Sequence, residues 1–329
     1  MHFLIVGVGS IGERHLRNLL RIDGIACSIA EINAGMREKI AAEYTVQQAY
    51  TDYRDADLSA FDAVVICVPA NLHIPIATDV VAAGTHVLTE KPLAMSFDGV
   101  DELKRLRDEK GVVVSVAFTL RSDPLMRELK ELIDTTSLGK VRLVNYYAGQ
   151  YWPTGRKDFP PVYAQDRTTG GGAIPDHLVH MINFMEWSFG PVDKVAAKHW
   201  RLSLTEVATE DTAFVTMQFT NSVIVQLGLC VFQHGNYQRL HLAAEKGTCQ
   251  LRDECDTLEF LDAEHCKWRP GEAQRIDRDD VFVLQAKHFM ECIKGNATPR
   301  CTVEQGEQTL RTVSAAIESA DGDGQFVKA

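Results

Sequence analysis

Apolar positions along the first 120 residues fall into short dense runs separated by amphipathic stretches. FLIV at 3–6, CSIAE at 27–31, FDAVVICVP at 61–69, HVLT at 86–89 and VVVSVAF at 112–118 read as strands, the densest of them buried on both faces. Between them, ERHLRNLLRI (13–22), NAGMREKIAAEY (33–44), HIPIATDVVAAG (73–84) and SFDGVDELKRLRDEKG (96–111) read as helices, with Ser96 a candidate cap of the last. Val- and Ile-rich strands alternating with helices predict a parallel sheet covered on both sides.

The rhythm changes near residue 120. Residues 123–134 read as a helix, VRLVNYYAGQYW (141–152) as a strand, 153–169 as a polar loop, and 175–188 as a helix after the GGG at 170–172. From 192 onward the spacing is mostly that of strands, with a hairpin turn predicted at Asn221–Ser222. Helices return at 281–294 and 304–319, and the closing DGDGQFVKA is left unassigned. The expectation is an α/β domain over 1–120 and an α+β domain with a largely antiparallel open sheet over 121–329. The helix at 304–319 is a candidate to return to the first domain.

Composition narrows the classes. The 329 residues are 45% hydrophobic, yet no apolar run approaches the length of a membrane span. The net charge of −11, with no basic block, argues against a nucleic-acid partner. The apolar N-terminus runs straight into GVGSIG and reads as a strand, not an export signal. The eight cysteines form no CxxC pair and show no zinc spacing, so small apolar residues in a reducing, cytoplasmic setting and no metal are expected.

The chemistry begins at Gly7, Gly9 and Gly12, a G-x-G-x-x-G between a strand and a helix. Gly7 suits the tight turn, Gly9 the approach of a pyrophosphate, and Gly12 close helix–sheet packing; the amides near Ser10 and Ile11 would face the phosphate oxygens. Such a turn opening an alternating domain predicts a Rossmann dinucleotide site. Glu31, nineteen residues after Gly12, can accept the ribose hydroxyls and repel a 2′-phosphate, which favours NAD over NADP. A solvated strand-end glutamate is the plainer alternative, and Arg37 lies farther into the next helix. Cys67, Val68, Pro69, Asn71 and His73 follow the third strand where ligands gather in open α/β sheets, though His73 also suits a helix start. Glu90 and Lys91 follow another strand and are further candidate cofactor contacts. A lysine there can stabilise charge on a reacting oxygen.

A second constellation is TTGGGAIPDHLVH. Asp176 and His180 are i and i+4 on a predicted helix, with His177 between them, and all three are candidate substrate contacts. A histidine can take an alcohol proton as hydride leaves, with the aspartate orienting it or a substrate hydroxyl. A capping aspartate beside a core histidine is the structural alternative. Arg121, Tyr147, Tyr151, Trp152, Arg156, Lys157 and Tyr163 are candidate substrate contacts.

GVGSIG, Glu31, VPANLH at 68–73, EKP at 90–92 and GGGAIPDHLVH at 170–180 together resemble the glucose–fructose oxidoreductase/inositol dehydrogenase/MocA family across nearly the full chain. The resemblance implies an NAD(P)-dependent enzyme in which Lys91 assists the reacting hydroxyl and Asp176 and His180 line the substrate site, His180 as acid/base. It also implies a cis Lys91–Pro92 bond, a sugar, inositol or related polyol as substrate, and dimers or tetramers through the second sheet. Many members carry an aspartate where this chain has Asn183. The alternatives are an NADP-dependent reductase of a small carbonyl or imine, a transient-redox enzyme with no net NAD turnover, and a non-catalytic NAD-binding regulator.

Overall fold

The computed structural model describes residues 1–155, 166–252, 255–262, 264 and 266–329. The chain divides into two compact units, Met1–Ser122 with Asp277–Glu307, and Asp123–Ile276 with Gln308–Ala329.

The first unit begins β1 (His2–Val6), α1 (Ser10–Leu19), β2 (Ala26–Ala30), α2 (Ala34–Glu43), β3 (Ala49–Tyr50), β4 (Ala63–Ile66), α3 (His73–Ala82), β5 (His86–Thr89), α4 (Val100–Lys110) and β6 (Val114–Val116). All six strands are parallel, in the order β3-β2-β1-β4-β5-β6. This is the dinucleotide-binding Rossmann arrangement, with its order reversing between β1 and β4. Every residue of β4 is buried, as strands covered on both faces require. Two details differ from the sequence reading. The two-residue β3 had no signal of its own. The start of α4 is Gly99, at φ 77°, and not Ser96, whose hydroxyl donates to Asp98 instead.

The second unit continues with α5 (Pro124–Asp134), β7 (Val141–Tyr151), α6 (Trp152–Gly155), a π-helical turn (Ala173–Leu178), α7 (Val179–Phe189), β8 (Val192–Trp200), β9 (Thr212–Phe219), β10 (Ile224–Cys230), β11 (Phe232–Ala244), β12 (Gly247–Arg252), β13 (Glu259–Asp262) and β14 (Trp268–Pro270). The chain then adds α8 (Arg278–Ile293) to the first unit, runs through α9 (Val303–Asp321), and ends in β15 (Val327–Lys328). The unassigned tail thus supplies an edge strand. The nine-stranded sheet has the order β14-β13-β12-β11-β7-β10-β9-β8-β15. Its pairings are antiparallel except β10 with β7. The Asn221–Ser222 turn joins β9 to β10, with Ser222 at φ 71°.

Strand alternation gives this sheet two different faces. On one, Val195, Met217, Val225, Val144, Leu242 and Cys249 form a continuous buried rung across six strands. Phe189 of α7 meets Phe219 on this face, and Ser319 of α9 accepts the Ala197 amide. The other face carries Leu143, Tyr147, Phe214 and Arg239, and Phe214 is 50% exposed. No helix among the described residues is long and apolar enough to cross a membrane.

Candidate functional site

In the first unit, the backbone where β1 passes into α1 leaves no room for a side chain at Gly7 or Gly12. Gly7 adopts φ +83°, and a Cβ there would stand 2.9 Å from the Cys67 carbonyl oxygen. At Gly12 it would stand 1.9 Å from the Gly7 oxygen. Gly9 differs: nothing lies within 4 Å of a Cβ built there, so its surface is open. Gly9 is also the N-cap of α1, and no side chain caps the helix. Backbone amides at Ser10 and Ile11 therefore begin a helix whose positive end has no anionic partner from its own cap, which suits a pyrophosphate.

Glu31, at the end of β2, lies against this turn. Its Oε2 accepts the Val8 amide at 3.0 Å and its Oε1 accepts the Asn33 amide at 2.9 Å. Arg37, which sequence distance alone had set apart, folds back so that Nη1 donates to the Glu31 carbonyl at 2.6 Å. Ile32 beside it is 81% exposed. The only sequence signal for Ile32 was an apolar residue stranded in a polar loop.

At the end of β4, Cys67 is buried against the glycine turn, and burial pushes its thiol well above the usual range, with the Glu90 charge adding to the effect. Val68 is half-buried, while Pro69 and Asn71 are exposed. His73 departs from its expected cofactor role. It is 1% exposed, with Nδ1 2.8 Å from the Pro92 carbonyl and Nε2 2.9 Å from the Val68 carbonyl. Burial lowers its pKa despite these acceptors and the Glu90 charge. A ring so placed staples α3 to the segment after β5. That segment contains the cis Lys91–Pro92 bond. Arg121 is likewise interior: it is 1% exposed, and Nη1 donates to the Arg300 carbonyl and to Gln305 Oε1. It clamps residues 300–305 within the first unit, a structural position that departs from the expected substrate contact.

In the second unit, the predicted helix at 175–188 starts earlier and starts wide. Residues 173–178 wind as a π-helix before α7 begins, a local feature that frequently marks functional sites. Gly172, at φ +119°, makes room for this start, because a Cβ there would stand 2.5 Å from Glu210 Oε1. Asp176 is 7% exposed, and its Oδ2 lies 3.6 Å from His177 Nε2. His177 is also 3.1 Å from Gln150 Nε2 and 5.3 Å, centroid to centroid, from the buried Trp152 ring. His180 follows, half-buried, in the first turn of α7.

Tyr147 requires a correction. Gln150, which meets His177, projects from one face of β7, and Tyr147 projects from the other. There its ring stacks with Phe214 over Gly228, and its hydroxyl donates to Gln233. It therefore belongs to the outer sheet face and not with His177. Tyr151 stacks on His234 at 4.1 Å. Arg156, Lys157 and Tyr163 lie outside the described residues.

Asn183 is 1% exposed and donates to Thr309 Oγ1, which in turn donates to buried Glu186; Thr312 donates to the other Glu186 oxygen. An aspartate at 183 would set two carboxylates on a hydroxyl that has one proton. Asn183→Asp is expected to cost about 1–3 kcal/mol at neutral pH. The cost should shrink as pH falls, since the new carboxyl's folded pKa is raised and protonation relieves the conflict. The substrate profile should stay unchanged. Melting curves at neutral and acidic pH, with a substrate panel, check both parts.

Among the described residues, no group of three His, Cys, Asp or Glu is placed to hold a metal ion. Comparison with known proteins adds identity to this geometry. Residues 1–118 match the model of an oxidoreductase family with an NAD-binding Rossmann fold, and residues 126–250 match the GFO/IDH/MocA C-terminal domain. The uncharacterised oxidoreductase YrbE of Bacillus subtilis is 28% identical over 330 residues, 96% of this chain and 93% of its own length. Myo-inositol 2-dehydrogenase of Thermotoga maritima is 25% identical over 334 residues, 98% of this chain and 96% of its own. The solved structure of levoglucosan dehydrogenase in complex with NADH matches with a TM-score of 0.88 at 20% identity, covering 100% of this chain and 98% of its own; that likeness concerns the fold.

Proposed function

The chain belongs to the GFO/IDH/MocA family of NAD-binding oxidoreductases, and from that premise we propose that it interconverts a secondary alcohol and a ketone on a sugar, inositol or related polyol. The observation that carries the substrate class is the match of 98% of the chain to a myo-inositol 2-dehydrogenase. When bound, NAD supplies the hydride acceptor. The glycine turn and the start of α1 would hold its pyrophosphate, and Glu31 its adenosine ribose. In the oxidation direction, His180 takes the hydroxyl proton, Lys91 donates a hydrogen bond to the same oxygen, and Asp176 orients His180 or a neighbouring hydroxyl. A panel of inositols, aldoses and sugar acids, followed by NADH absorbance, tests the proposal. NADH formation with at least one is expected. Cofactor binding without turnover across the panel would overturn it in favour of the transient-redox or regulatory alternatives.

Glu31→Ala should lower the preference for NADH over NADPH by about 10-fold, the scale of one lost charge-assisted hydrogen bond. Arg37 stands beside that position and offers a partner to a 2′-phosphate, so the double variant with Arg37→Ala should lose any gain in NADPH affinity. Fluorescence titration with both cofactors reads the result, and an unchanged ratio in Glu31→Ala removes the ribose role.

The outer face of the second sheet supports a homodimer or homotetramer as part of this proposal. A groove of about 390 Å³ there is lined by residues including Tyr147, Phe214 and Arg239. Trp200 nearby is 42% exposed. Sedimentation velocity would show whether the chain self-associates. The eight cysteines form no disulfide, which fits the cytoplasmic setting proposed for it.

A further inference from the structure

His15 stands one turn beyond Gly12 on α1 and is 4% exposed. Its Nε2 lies 2.8 Å from Oε1 of Glu90, itself 6% exposed, and its ring meets Phe282 of α8 edge-on at 5.0 Å. The other Glu90 oxygen accepts the Lys91 backbone amide at 3.0 Å, and the Glu90 amide donates to the Ile66 carbonyl at 2.9 Å. A single buried carboxylate thus joins the nucleotide-turn helix to the residue that follows it. Burying an imidazole and a carboxylate together adds little stability, because the desolvation penalty offsets their attraction. Two apolar residues would pack the same space without that penalty, so the pair calls for another role.

We infer that His15 is a positioning residue which, through Glu90, fixes the backbone of Lys91 and hence the reach of its amine. The inference rests on the reading of Lys91 given above. An amine at the end of four methylenes inherits any displacement of its own backbone, and an error of about 1 Å at a reacting group costs on the order of 100-fold in rate. The charged and titratable groups facing Glu90 are His15 from α1, Cys67 after β4, His73 at the start of α3, and Lys91 itself. Burial pushes the Glu90 carboxyl up. The hydrogen bond and charge of His15, with Lys91, outweigh that and hold it below its ordinary value. The anion therefore persists through neutral pH. Its contribution to stability is complete above the ordinary value and is lost as pH falls through the lower folded one.

The test uses the full chain and needs no substrate. Acetic anhydride labels lysines in the parent, His15→Leu, His15→Gln and Glu90→Gln proteins, and mass spectrometry compares the Lys91 rate with the other lysines in each sample. His15→Leu and Glu90→Gln should change the Lys91 rate at least about threefold while the other lysines keep theirs, a local effect of about 0.7 kcal/mol. His15→Gln, whose amide nitrogen can stand near the imidazole Nε2, should recover most of the parent rate. Parent-like labelling of Lys91 in both His15→Leu and Glu90→Gln overturns the inference. If His15→Leu does not fold, the isosteric Glu90→Gln decides alone. Lys91→Ala is assayed in parallel for turnover, so a failure of the assigned lysine chemistry is seen separately from a failure of the His15 link.

Discussion

Gly12→Ala is expected to weaken NADH binding by at least about 100-fold in a fluorescence titration, roughly 2.7 kcal/mol. A Cβ at this position meets the Gly7 oxygen at 1.9 Å and the Gly7 carbonyl carbon at 2.9 Å. Both atoms are backbone, so neither can swing aside as the end of a side chain would. The start of α1 must instead lift from the sheet, carrying the amides of Ser10 and Ile11 with it. The size of the effect lies within the range for overpacking a close contact. Gly9→Ala is the informative companion, because nothing within 4 Å opposes a Cβ there. Its melting temperature should stay within about 1 °C of the parent, a change well under 1 kcal/mol, while NADH affinity still falls. In that variant the ligand needs the space and the protein does not. A Gly9→Ala protein that bound NADH like the parent would remove the pyrophosphate from this turn.

If the proposed reaction is right, His180→Ala and Lys91→Ala should each lower turnover at least about 100-fold on the best substrate of the panel. NADH affinity should change by less than about threefold, because neither residue belongs to the glycine turn or to the position proposed to hold the adenosine ribose. A fall in kcat with a matching fall in kcat/KM would mean that the missing group acts in the transition state. A rise in KM alone would make it a binding group. Near-normal turnover in either variant would take that residue out of the mechanism. On the proposed mechanism the two variants remove different things, His180 a proton acceptor and Lys91 a charge.

The first sheet was legible because its signals are strong and local. Buried parallel strands read as continuous apolar runs, and the glycine spacing sits where a strand meets a helix. The two-residue β3 was missed because so short a segment has no period to detect. Ser96 was a reasonable cap by residue type, but Gly99 takes the left-handed backbone that begins α4. The wide winding at 173–178 left no trace in side-chain periodicity. Glu210, whose carboxylate stands over Gly172, lies 38 positions away in the chain (210 − 172). The candidate substrate contacts were the least legible. Tyr147 and Trp152 look alike as aromatic residues near the end of a strand, yet strand parity sends Tyr147 to the outer face while Trp152 packs against His177. Composition could not show that Arg121 spends its guanidinium on Arg300 and Gln305. The readable parts came from backbone rules, and the unreadable parts depended on partners remote in sequence.

The first unit is discontinuous in the chain. Phe289 and Ala286 of α8 belong to the same buried cluster as Phe3, Leu16 and Ile29, and Arg17 on α1 holds Asp279 at 2.8 Å. During synthesis, the amino-terminal sheet therefore emerges with one side of α1 uncovered and waits for more than 150 further residues, from 123 to 276, before its cover is made. A ribosome-bound or proteolytic fragment ending near residue 122 would display that apolar strip to water and to chaperones. Maturation of the nucleotide-binding half is thereby tied to synthesis of the segment Asp277–Glu307, which follows the intervening residues of the second unit.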